Sequence, residues 1–163
     1  DYGGVVPPAI AELTDVIEVT ATWYAFCARL GDGRVAVWGD ERYGGALPEH
    51  VGECTDIVQV VGSAWSFAAL RKDGSVLTWG FPDCGGDSAD VADQLLDVRA
   101  IYANNNSFAA LTQDGRVVTW GSEKSGGDSS SQQGEPGGKV TSARSISLAE
   151  AAAGSSGAGP AIE

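Results

Sequence analysis

The chain has 163 residues, 43% of them hydrophobic, enough for a sizeable globular core. Its formal net charge of -12, from 22 acidic against 10 basic residues, repels phosphate backbones and speaks against direct nucleic-acid binding. No run of about 18 apolar residues is present to span a bilayer, and no basic start with an apolar stretch and a small-residue cleavage site marks a secretory signal, so no membrane insertion is predicted.

Read in chain order, Tyr2, Gly3 and Gly4 look like the end of a preceding unit, because they stand 41 residues before Tyr43, Gly44 and Gly45. Together with Asp1 as the first residue and the lack of any Met, this reads as a piece of a longer array. The shift of 41 superposes Trp38, Trp79 and Trp120 without insertion, and likewise Phe26, Phe67 and Phe108. It also superposes Asp15, Asp56 and Asp97, and the glycines Gly33, Gly74 and Gly115. The units so defined are 1–4 (the end of a preceding blade), 5–45, 46–86 and 87–127, followed by 128–163. A strict period near 40 indicates a repeat architecture, and strand chemistry selects among the candidates.

After the shared Asp, each unit opens with a short apolar strand: Val16 to Val19, Ile57 to Val61, or Val98 to Tyr102. A second strand follows at Ala25 to Leu30, Phe67 to Leu70, or Phe108 to Leu111, and it runs into an Asp-Gly pair. Asp-Gly between β-rich runs is a hairpin signal, because the turn needs positive φ, which Gly supplies and Asp tolerates. The third strand is Arg34 to Trp38, Ser75 to Trp79, or Arg116 to Trp120. Both side-chain parities of these strands are apolar or small, as expected of a sheet stacked between two other sheets. The fold expected is therefore all-β: a partial β-propeller of three consecutive antiparallel blades plus a stub. A helical solenoid is excluded by the Gly-rich third of each unit, and Gly in place of Asp after each Trp excludes the WD type of blade.

The stretch from Asp128 to Glu163 is rich in Ser, Gly and Ala, which predicts a disordered tail. Its one candidate element is a short helix over Ser147 to Ala153, with Ser147 and Glu150 as a capping box. Cys27, Cys54 and Cys84 occupy unrelated repeat positions, so at least one is unpaired and no disulfide or metal framework is expected. Such usage suits free thiols in a reducing compartment, cytoplasmic or nuclear.

The segments GSAWSFAALRKDGSVLTWG, ending at Gly80, and NNNSFAALTQDGRVVTWG, ending at Gly121, resemble the repeats of the regulator of chromosome condensation family. The resemblance runs over about residues 5 to 127, and the short period is similar to that of the compact bacterial members, including propeller-type β-lactamase inhibitors. It implies a ring of blades and a role in binding: non-catalytic protein interaction, or guanine nucleotide exchange on a small GTPase, or substrate recruitment within a HECT-type ubiquitin ligase. The chain departs from the family where its frequent His before the second strand is replaced by Tyr24, Trp65 and Asn106, so exchange activity is not inherited by motif.

The loop between first and second strands varies most in chemistry. It reads Thr22, Trp23, Tyr24 in one unit, Ser63, Ala64, Trp65 in the next, and Asn104, Asn105, Asn106 in the third. Exposed Trp, Tyr and Asn on a fixed scaffold are residue types that anchor protein partners, so Trp23, Tyr24, Trp65, Asn104, Asn105 and Asn106 are the candidate partner-binding residues. The competing role for Tyr24 and Trp65 is to fill the space of the family's His, and Tyr43 reads as turn packing. Trp38, Trp79 and Trp120 with Gly33, Gly74 and Gly115 are assigned to structure, and the repeated Asp to a local turn. His50 is the only histidine and has no nucleophile elbow beside it, and no metal or phosphate motif occurs, so neither catalysis nor a cofactor is predicted. The expected partners are a protein, further blades of the same chain, or another copy.

Overall fold

Three hairpin-rich units fold as three separate antiparallel sheets in a computed structural model that describes residues 3–128. The predicted tail over 128–163, with its Ser147 to Ala153 helix, lies outside the described residues apart from Asp128, as does Tyr2 of the expected stub. The first sheet orders β1 (Val16–Ala21), β2 (Ala25–Leu30) and β3 (Val35–Gly39); the second β4 (Ile57–Gly62), β5 (Ser66–Arg71) and β6 (Val76–Gly80); the third β7 (Val98–Ala103), β8 (Ser107–Thr112) and β9 (Val117–Gly121). Single helical turns at Pro8–Ala11 and Glu49–Gly52, and a 3-10 turn at Ala89–Val91, precede the sheets. Among the described residues no helix is long and apolar enough to cross a membrane.

The Asp-Gly turn is longer than a two-residue hairpin loop and demands less of the backbone. Leu30 N–H donates to the Arg34 carbonyl and Gly33 N–H to the Leu30 carbonyl, so three residues, Gly31 to Gly33, form the connection. Only its last residue needs positive φ, and Gly33 (+83°), Gly74 (+84°) and Gly115 (+87°) supply it, while the Asp keeps negative φ. The Asp instead caps the turn with its side chain, as Asp32 Oδ1 accepts from Arg34 N–H at 3.0 Å and Asp73 Oδ1 from Ser75 N–H at 2.9 Å. That bond holds the residue before each third strand in the turn, and the strands accordingly start one residue later than predicted.

A β-bulge recurs in the first strand of every sheet, where the pairing register slips between Val16 and Glu18, Ile57 and Gln59, and Val98 and Ala100. In a regular strand, residues three apart point to opposite faces; the extra residue restores them to one face. Ile57 and Val60 are thereby both buried against the first sheet, and Val98 and Ile101 both against the second. The displaced residues Ile17, Val58 and Arg99 face outward.

The core lies between sheets. One apolar cluster joins Ala25, Cys27 and Val35 to Ile57, Val60, Phe67, Ala69 and Trp79; the other joins Ala68 and Leu70 to Val98, Ile101, Phe108, Ala110, Val118 and Trp120. Alternate residues of β5 thus pack against opposite neighbours, as blades of a propeller do. The tryptophan ending each third strand stacks on the Phe opposite it in its own sheet, with ring centroids 5.2 to 5.3 Å apart. Each also reaches back to the preceding unit, where Trp38, Trp79 and Trp120 donate Nε1–H to the carbonyls of Gly3, Gly44 and Gly85 at 3.1 to 3.2 Å. Those glycines have positive φ and lie flat on the next Phe ring, since a Cβ at Gly44 would stand 2.5 Å from Phe67.

Backbone bonds continue the stack. Ile57 N–H donates to the Gly33 carbonyl and Val98 N–H to that of Gly74, while the Gln59 amide bridges to both N–H and C=O of Ile101. The repeated Asp works through its own carbonyl: Asp15, Asp56 and Asp97 accept from the N–H of Gly31, Lys72 and Gln113. Asp97 does so at φ +51°, a conformation Asp tolerates, and Asp56 also clamps Arg71 at 2.9 Å.

The two outer faces of the stack differ from the inner ones. Val19 of β1 is 57% exposed, whereas its equivalents Val60 and Ile101 are nearly fully buried. At the other end, among the described residues, nothing lies within 4 Å of a Cβ built on Gly115 or Gly126, although the equivalent positions in earlier units are filled by the next sheet.

Candidate functional site

The loops joining first to second strands are fixed by their first residue. Thr22 Oγ1 accepts from the N–H groups of Tyr24 and Ala25, Ser63 Oγ from those of Trp65 and Ser66, and Asn104 Oδ1 from those of Asn106 and Ser107, at 2.9 to 3.3 Å. Three different side chains thus build one turn, each through a short polar group that bonds backbone two and three residues on. The loops are also tied outward to the 3-10 turns after the third strands: Thr22 Oγ1 donates to the Tyr43 carbonyl, Ser66 Oγ to that of Cys84 and Ser107 Oγ to that of Ser125. They are tied to each other as well, because Trp23 N–H donates to the Ala64 carbonyl and Ala64 N–H to that of Asn105. These last residues are 41 apart, so one backbone ladder runs across the three loops.

On this rigid backbone the side chains converge into an aromatic patch. Trp23 and Trp65 lie 5.1 Å apart between centroids, Tyr24 and Trp65 5.6 Å, Tyr24 and Tyr43 4.9 Å, Tyr43 and Trp65 5.3 Å, and Tyr43 and Phe81 6.0 Å. Trp23 is 62% exposed, Phe81 is at the surface, and the other three are half-buried. Trp65 Nε1–H donates to Asn106 Oδ1 at 2.9 Å, and Asn106 Nδ2 donates to Ser125 Oγ, which extends the patch into the third loop. The Arg42 guanidinium stands 5.5 Å over the Tyr43 ring.

Of the six candidate residues, Trp23, Tyr24, Trp65 and Asn106 are brought together here. Asn105 is exposed beside them, with its carbonyl in the ladder. Asn104 is engaged by its own loop, since its Oδ1 caps the turn and its Nδ2 donates to the Ser125 carbonyl at 2.7 Å. Tyr24 and Trp65 fill space and present surface at once, each being half-buried. Sequence reasoning missed Phe81 and placed Tyr43 in turn packing. Both stand in columns where the units differ, Asp40, Phe81, Ser122 and Tyr43, Cys84, Ser125, and such variation was the available signal.

The electrostatics around the patch are acidic and locally compensated. Against the burial that raises it, the Arg42 N–H and guanidinium hold the Asp40 carboxyl below the usual range. Burial, reinforced by Asp83, pushes up the Cys84 thiol, which lies beside Asn106. His50 is exposed on the Glu49–Gly52 turn, where its carbonyl accepts from Cys54 Sγ. Among the described residues no three of His, Cys, Asp or Glu converge to hold a metal ion.

Residues 98–126 match the family model of the regulator of chromosome condensation (RCC1) repeat. Among solved structures the chain is similar to yeast RCC1 (Prp20) bound to Kap60, with 25% identity and a TM-score of 0.51 over 70% of this chain and 31% of that one. It is also similar to Prp20p from Saccharomyces cerevisiae, with 24% identity and a TM-score of 0.50 over 70% and 32% of the two chains. The ectodomain of the Physcomitrella patens receptor kinase CR4 shares 17% identity and a TM-score of 0.51 over 74% and 33%. The chain thus spans about a third of the length of these structures. No curated protein sequence matches it significantly.

Proposed function

We propose that the 41-residue units, of which residues 98–126 match the regulator of chromosome condensation repeat, serve as a non-catalytic protein-interaction module that engages its partner through the aromatic face of loops 22–24, 63–65 and 104–106. The observation that carries this reading is the exposed Trp23 on a backbone locked by turn caps and by the loop-to-loop ladder. A large exposed aromatic costs little conformational entropy to immobilise when its backbone is already fixed, which is the property of an interface anchor. The yeast propeller of 25% identity, crystallised bound to Kap60, supports protein partners as a class.

The module is part of a longer propeller in this reading. Its support is the outer face past β9, where Gly115 and Gly126 repeat the sockets that Gly33, Gly44, Gly74 and Gly85 fill between sheets. A further blade bearing the Phe and Trp pair would complete that socket. The three unpaired cysteines suit a reducing intracellular setting.

The test is replacement of Trp23 and Trp65 by Ala, with folding monitored by near-ultraviolet circular dichroism. Loss of the partner from pull-downs, with folding intact, is expected. An unchanged set of partners would refute this face. Guanine nucleotide exchange is the competing activity, and acceleration of nucleotide release from small GTPases would support it over simple binding.

A further inference from the structure

The chemistry of the aromatic face narrows the partner, on the premise that this face is the binding surface. Trp23 is the one ring of the cluster with more than half of its surface free, and an indole face is the strongest of the side-chain π-surfaces for a cation. The cluster already accepts one cation, the Arg42 guanidinium at 5.5 Å from the Tyr43 centroid, within the range of such an interaction. That guanidinium is held in place by Asp40 at 3.5 Å, so its charge is compensated locally.

The surrounding charge points the same way. Arg29, Arg34, Arg71 and Arg116 are each bonded to a carboxylate of their own chain, at 2.6 to 2.9 Å. With these arginines compensated in place and a formal net charge of -12, acidic residues outnumber basic ones by 22 to 10 and the net field of the chain is negative. Glu41 and Asp83, both exposed, flank Tyr43 and Phe81 at two positions in sequence. An acidic partner would be repelled, and a neutral apolar one would leave this field uncompensated.

We propose that the face takes an extended basic segment of its partner, with an arginine side chain laid over Trp23 and its other cations drawn to the acidic residues of the same face, Glu41 and Asp83 by Tyr43 and Phe81 among them. Arginine suits the site better than lysine, because a planar, weakly hydrated guanidinium stacks on an indole while keeping its edge donors free for carboxylates. The mode is one cation over one ring, repeated by Arg42 over Tyr43 within the chain itself.

The experiment uses the full chain and four labelled peptides of equal length, in which Gly alternates with Arg, Lys, Glu or Pro, read by fluorescence anisotropy. The Arg peptide is expected to bind most tightly, the Lys peptide less so and the Glu peptide not at all, with affinity falling as salt rises from about 0.05 to about 0.5 M. Trp23→Ala should weaken Arg-peptide binding about tenfold, and Trp23→Phe should retain most of it. Equal binding to wild type and Trp23→Ala would overturn the proposal, since it would reduce the attraction to general acidity. Tighter binding of the Pro peptide, lost in Trp23→Ala, would also overturn it while leaving the face itself as the interaction surface. Unchanged thermal melting of Trp23→Ala separates these outcomes from misfolding.

Discussion

The socket beneath each Phe ring makes the most exacting prediction. Gly44 has φ +102°, and a Cβ there would stand 2.5 and 2.7 Å from Phe67 Cδ2 and Cε2, atoms of a side chain with no exposure and no room to move. Gly44→Ala therefore adds backbone strain of about 1 kcal/mol to overpacking of about 1–3 kcal/mol, together about 2–4 kcal/mol. Gly126→Ala is the matched control: its φ of +89° imposes similar strain, but among the described residues nothing lies within 4 Å of the new Cβ. At about 4 °C per kcal/mol for a domain of this size, melting should fall by about 8–16 °C for Gly44→Ala and about 4 °C for Gly126→Ala. Near-ultraviolet circular dichroism is the assay, because Trp79 reports on the same contact through its bond to the Gly44 carbonyl. Equal losses in the two variants would show that strain alone acts, and the account of glycine as an inter-blade socket would fall.

Gln59→Leu removes both bonds to Ile101 and leaves buried backbone groups unpaired, so a loss of about 1–3 kcal/mol is expected, with faster hydrogen exchange at Ile101; unchanged exchange would refute the clip. Burial, with a smaller contribution from Glu18, pushes the Cys27 thiol up to about 12. Iodoacetamide at about pH 8 should therefore modify it only after unfolding, and intact-mass spectra showing three adducts on the native chain would contradict this. The Thr112 hydroxyl, followed by the Arg116 guanidinium, lowers Asp114 to about 2. Because the folded value is depressed, its contribution is fully present above the ordinary carboxylate range and is lost as pH falls through about 2. NMR titration of the Asp114 carboxyl carbon should show that low midpoint, and Thr112→Val should raise it.

How much of this was legible follows from where each constraint resides. The identical columns carry the blade stack: Trp79 bonds Gly44, Phe67 rests on it, and Gly33 accepts from Ile57, so a period of 41 in sequence is a period of one interface in space. Strand positions and the all-β class could be read for that reason. The bulge at Ile17, Val58 and Arg99 could not, because its signal is a spacing of three between core residues, Ile57 with Val60 and Val98 with Ile101, inside a strand too short and too mixed in polarity to show it. The aromatic patch was half legible: Trp23, Tyr24 and Trp65 share a loop column, whereas Tyr43 and Phe81 come from turns distant in sequence and meet them only when the Thr22 and Ser66 hydroxyls tie those turns inward. Asn104 and Asn105 are the same residue type, and only the repeat column separates them: Thr22, Ser63 and Asn104 are all short polar groups that cap the turn, whereas Asn105 shares its column with Trp23 and Ala64.

That division has a mechanical consequence for recognition. Substituting Trp23 gives up its ring contact with Trp65 of the next loop but keeps the backbone bond to Ala64 and touches none of the buried core between sheets, so the exposed end of the patch can vary at small cost to the stack. Trp65 is different, because its indole bonds Asn106 across the boundary between the second and third loops, one repeat away. A change at Trp65 therefore alters the surface and one hydrogen bond between adjacent loops at once, while the backbone ladder stays. The variable loops owe their rigidity to the same neighbour-to-neighbour bonding that holds the sheets, so the shape presented to a partner is a property of adjacent blades and not of any single unit.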